Sequence, residues 1–129
     1  MALPVNGTFM DVVYSAQIVD VSTASIAQIP VMKAGKFMDA KISLSAAITG
    51  SDSVVTVKKY PAGVVADAVT IGTITLANST SAAGKNYSTS ISGTEAARTL
   101  AGGDTLAFDG DGASSTTSIG RISAIVRGP

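Results

Sequence analysis

Apolar and polar residues alternate with period two along most of the chain, and Gly, Pro, Asn, Asp and Ser interrupt the alternation at short intervals. A first strand is expected over residues 11–19, with Val12, Tyr14, Ala16 and Ile18 on one face. A turn over 20–24 leads to a short strand over 25–31, where Pro30 points to a sheet edge or a bulge. The longest alternation follows. It sets Met38, Ala40, Ile42, Leu44, Ala46 and Ile48 on one face, and Phe37, Asp39, Lys41, Ser43 and Ser45 on the other. Residues 50–52 read as a tight turn, and 53–60 as the hairpin partner of that long strand.

Pro61-Ala62-Gly63 breaks the pattern, and 69–76 resumes it. After a Ser/Ala/Gly loop over 78–84, residues 85–91 read as one strand. Thr94 followed by Glu95-Ala96-Ala97-Arg98 suits one capped helical turn, since a Thr side chain can accept from the first free N–H groups. Strands over 105–109 and 118–127 close the chain. About eight short antiparallel strands with turn residues between them define an all-β domain, a β-sandwich or jelly roll. Residues 1–10, with Pro4 and Gly7, read as an extended N-terminal arm, and 11–129 as a single sandwich domain.

Composition narrows the chemistry. The 129 residues include no His and no Cys, which removes Ser-His-Asp and Cys-His nucleophile systems, disulfides and zinc-thiolate sites. Nine Lys and Arg balance nine Asp and Glu without a basic stripe, so a nucleic-acid partner is not expected. No apolar run approaches the twenty residues of a membrane-spanning helix, and the first residues lack the basic and apolar regions of a signal peptide. The acids fall mostly at turns, where Asp serves the backbone, so no carboxylate pair is read as catalytic. The expectation is a protein that is not an enzyme and carries no cofactor and no metal.

Two segments are worth weighing for ligands. Asp109-Gly110-Asp111-Gly112 has the outline of a calcium-loop fragment, but no further acid follows within a dozen residues, and a Gly-rich turn is the simpler reading. Gly102-Gly103-Asp104 lacks the Lys and Ser/Thr of a phosphate loop and reads as a turn opening a strand. The arm is more informative. Leu3, Pro4, Val5, Phe9 and Met10 are candidates for contact with a neighbouring subunit, because about ten extended residues reach roughly 30 Å.

Four phrases carry a resemblance over residues 19–126: Val19-Asp20-Val21-Ser22-Thr23-Ala24, Thr73-Ile74-Thr75-Leu76-Ala77-Asn78, Ala101-Gly102-Gly103-Asp104-Thr105-Leu106, and the Asp-Gly-Ala-Ser-Ser-Thr-Thr of 111–117 before a last apolar strand. In this order they resemble the tailed-phage capsid decoration (cement) proteins and the related head-fibre base proteins, with an extra glycine at 102–103. The resemblance implies a virion structural protein made in the host cytoplasm. On the capsid exterior it would bind the major capsid protein as a homotrimer and stabilise the shell. Two other roles fit the same composition: a carbohydrate-recognising fibre module, for which Tyr14, Tyr60 and Tyr87 would have to serve as platforms, and a shell-forming minor capsid subunit.

Overall fold

A computed structural model describes residues 11–128. Ten strands form two antiparallel five-stranded sheets packed face to face. The first sheet holds β1 (Asp11–Ile18), β10 (Gly120–Arg127), β3 (Gly35–Leu44) and β6 (Asn86–Ser88) in that order, with β8 (Thr99–Leu100) also on β3. The second runs β2 (Ser25–Pro30), β9 (Thr105–Gly110), β4 (Ser53–Tyr60), β5 (Val69–Leu76) and β7 (Ser90–Ile91). The pairs β1–β10, β2–β9, β3–β6 and β4–β5 make one long antiparallel ribbon rolled onto itself, which is the jelly-roll winding.

Period-two alternation places the core. Ile122, Ala124 and Val126 of β10 and Ile42 and Leu44 of β3 face Leu106 and Phe108 of β9, Val55 and Val57 of β4, and Ile74 and Leu76 of β5, all buried. Each large side chain taken out of water in this way contributes about 1.5–3 kcal/mol before ordering costs. On β1 the expected inner set holds, but only Ile18 is fully buried; Tyr14 and Ala16 pack partly against the core at the open side.

Three expectations are corrected. The long alternation puts Met38 inside and Phe37 outside, yet Phe37 is wholly buried and Met38 half-buried. A bulge explains it: Ile125 stands opposite Asp39 and Val126 opposite Phe37, so Met38 is the extra residue and the parity of β3 flips there. The long strand stops at Leu44, and β4 is no hairpin partner of it. Residues 45–52 cross to the other sheet, where β4 pairs with β5 and β9. Finally, 85–91 is split. β6 lies in one sheet and β7 in the other, and between them Thr89 N donates to Ala40 O at 3.1 Å while its Oγ1 accepts from Ala40 N at 3.2 Å. The predicted helical turn is present as α1 (Glu95–Arg98), with Thr94 Oγ1 accepting from Ala97 N at 3.3 Å. β7 and β8, two residues each, bring the strand count from about eight to ten.

Candidate interaction surface

Strand direction sorts the connections onto two ends. One end carries the loops 19–24, 45–52, 77–85 and 111–119; the other carries 31–34, 61–68, 92–98 and 101–104, the start of β1 and the end of β10. The first end is polar and stitched by hydroxyls. Ser53 Oγ, buried, donates to Val21 O at 2.8 Å and accepts from Ser114 N at 3.2 Å. Ser118 Oγ, also buried, donates to Ala46 O at 2.9 Å and accepts from Ala46 N at 3.1 Å. Asp20 accepts from Ser22 N at 2.9 Å and from Ser22 Oγ at 2.7 Å, and these two bonds hold its carboxyl below the usual carboxylate range. Val19 is the one large apolar residue exposed in these four loops.

The other end, the apolar end, displays several large apolar side chains among the charged Lys33, Asp67 and Glu95. Met32 is 74% exposed and Val65 62% exposed, with Val64 exposed beside it and Val69 exposed at the start of β5. A groove of about 370 Å³ opens there too, lined by Ala34, Gly35 and Met38 at the start of β3, Leu100 of β8, and Arg127 at the end of β10. Its rim cations are already paired: Lys36 Nζ lies 3.3 Å from Glu95, and Arg127 Nε and Nη2 donate to the two Asp11 oxygens at 2.8 and 3.2 Å. That fork holds the Asp11 carboxyl low and the Arg127 guanidinium high.

Asp104 organises the loops of this end. Its backbone carbonyl accepts from Val31 N at 2.9 Å, its Oδ1 from Ala62 N at 2.9 Å, and its Oδ2 from Ala101 N at 2.9 Å. The buried side chain therefore ties the 61–68 loop, which carries Val64 and Val65, to the 101–104 loop, and the backbone carbonyl of the same residue ties in the 31–34 loop, which carries Met32. Ala62 adopts φ 53°, a left-handed conformation that costs a non-glycine residue about 1 kcal/mol, and the Asp104 bond to its N–H holds it there. At the same end, Lys59 Nζ caps α1 by donating to Ala96 O at 3.1 Å and Thr99 O at 2.9 Å.

The contact candidates Leu3, Pro4, Val5, Phe9 and Met10 lie outside the described residues; what is described is the root of that arm, Asp11, which stands at the apolar end. Asp109 and Asp111 are turned to different partners. Asp109 pairs with Lys58 Nζ at 2.9 Å, whereas Asp111 Oδ1 accepts from Val54 N and Ala113 N, each at 3.0 Å. Among the described residues no three His, Cys, Asp or Glu side chains gather as a metal site would need, and no helix is long and apolar enough to cross a membrane. None of the three tyrosines is exposed. Tyr60 is buried, Tyr14 Oη accepts from Met32 N at 3.2 Å, and Tyr87 Oη donates to Ala77 O at 3.1 Å.

The two sides of the sandwich also differ. Among the described residues β1 and β2 are edge strands of eight and six residues, whereas the opposite edges are cut into pieces of two or three residues by β6, β7 and β8. Short pieces blunt an edge; a full-length strand leaves a row of backbone donors and acceptors. Val13, 63% exposed, adds an apolar side chain on β1, beside Ile125 in a shallow depression of about 140 Å³.

No family model and no curated protein matches this sequence.

Proposed function

We propose that this protein is a non-enzymatic structural component of a virus particle that seats its apolar end on the outer surface of a tailed-phage capsid and stabilises the shell. The observation that carries the reading is the contrast between the ends. Exposed Met32, Val64 and Val65 stand on loops held by buried Asp104 on one end, through its backbone carbonyl and its carboxylate, and serine-stitched polar loops cover the other. Apolar side chains on a solvated surface gain free energy when a partner covers them, and polar loops lose none by staying wet. The resemblance carried by the phrases from Val19 to Val126 supports the capsid as that partner, with the major capsid protein as the contact and a trimer as the form. The full-length β1 edge, with Val13, is the surface proposed to meet a neighbouring copy.

A fibre module that binds sugar by stacking is less well supported, because Tyr14, Tyr60 and Tyr87 are all packed or hydrogen-bonded rather than displayed. Co-sedimentation with undecorated heads tests the proposal. The protein should pellet with the heads, and the Met32→Lys/Val65→Lys double variant should stay in the supernatant. Equal pelleting of both would exclude the apolar end as the contact.

A further inference from the structure

The groove of about 370 Å³ at the apolar end has no role in the adhesive surface just described, and its position suggests one. Asp11, the first described residue, pairs directly with Arg127, and Arg127 pairs with Lys36. Arg127 and Gly128 line the groove on one side, and Gly35, Lys36 and Met38 on the other. The chain preceding Asp11 therefore starts one strand spacing, about 5 Å, from the groove's rim. Residues 1–10 contain Leu3, Val5, Phe9 and Met10 and no charged side chain. The rim makes no demand for charge, since Lys36 is met by Glu95 and Arg127 by Asp11. An apolar, side-chain-neutral segment thus begins beside an apolar groove whose ions are satisfied.

We propose that this groove is the docking site of the protein's own N-terminal arm. Crossing from the root to the middle of the groove is a distance of about two strand spacings, roughly 10 Å, which three extended residues cover. Three of the ten residues suffice for that crossing, which leaves Leu3 and Val5 within reach of the groove. The same molecule wins over a second copy on concentration, because a tether this short holds the arm at an effective concentration in the millimolar range. Docking also has a structural consequence. β1 is a full-length edge strand whose Tyr14 and Ala16 are only partly buried, and an arm anchored in the groove fixes the start of that strand. The inference does not depend on what the apolar end binds.

The absence of cysteine makes the test direct. Ala34→Cys, in the groove, is combined in turn with Leu3→Cys, Val5→Cys and Thr8→Cys in the full chain, and air oxidation is followed on non-reducing gels with thiol counting. At least one pair should close within the monomer. It should do so at least tenfold faster than the same arm cysteine combined with Ser123→Cys, which lies on the exposed side of β10 away from the groove. Adding Phe9→Asp and Met10→Asp to the fastest pair should slow closure several-fold, which mere tethering would not. Disulfide-linked dimers as the main product would assign the groove to a neighbour's arm and overturn the proposal. So would closure no faster than with Ser123→Cys.

Discussion

The two ends of the sandwich are built from the same chain by different means. At the polar end, short loops are fixed by hydroxyls that reach backbone groups, as Ser53 does for Val21 and Ser114 and Ser118 does for Ala46. At the apolar end a single residue, Asp104, gathers three loops, two through its carboxylate and one through its backbone carbonyl, and the side chains these loops display include Met32, Val64 and Val65. Stitching with serine leaves a surface that water already satisfies. Gathering loops around a buried acid lets apolar side chains stand in solvent without collapsing inward. The difference teaches that exposure here is an arranged property of one end rather than a leftover of poor packing.

The largest change expected comes from the core beneath the apolar end. Phe37→Ala removes a wholly buried ring one residue from the groove and should cost about 3–5 kcal/mol in a urea melt. Next come the two organisers, which separate the ends. Asp104→Ala and Ser118→Ala each leave backbone groups without partners and should each cost about 1–3 kcal/mol, with the urea slope unchanged. Only Asp104→Ala should also weaken binding to heads. If Ser118→Ala weakens binding as much, the contrast between the ends is lost.

A smaller effect is expected from acid. Asp20 has its carboxyl held low in the folded protein by Ser22, so its contribution is present above the ordinary carboxylate pKa, about 4, and is lost as pH falls through its lower folded value. The melting temperature of Asp20→Ala should therefore lie below that of the parent at pH 6, and the gap should narrow steadily toward pH 2. A gap that widened on acidification would contradict the assignment. The smallest stability change belongs to Met32→Lys and Val65→Lys, each within about 0.5 kcal/mol because both side chains are already in water.

Much of the fold was legible in the sequence. Strands at 53–60 and 69–76 and the helical turn at Thr94 follow from alternation, turn residues and capping chemistry, all local signals. The failures share one cause, which is that pairing between distant segments decides them. The Phe37/Met38 inversion depends on a bulge against β10, more than eighty residues away in the chain. Whether β4 folds back on β3 or crosses to the other sheet depends on partners at β5 and β9. The site was harder to read. Val64 and Val65 are an apolar pair inside a Pro-Ala-Gly and Ala-Asp-Ala turn segment, a signal that was present. Met32 two residues after Pro30 looks ordinary until strand direction puts it on the same end. Asp104 reads as a turn residue, and it is one. Its grip on Ala62, forty-two residues earlier, exists only in the folded chain.

The most direct measurement is cryo-EM of undecorated phage heads mixed with excess protein, at a resolution that orients the sandwich. Added density is expected in which Met32, Val65 and the start of β1 face the shell and the 77–85 and 111–119 loops face solvent. Density with those polar loops against the shell, or heads left bare, would contradict the proposal.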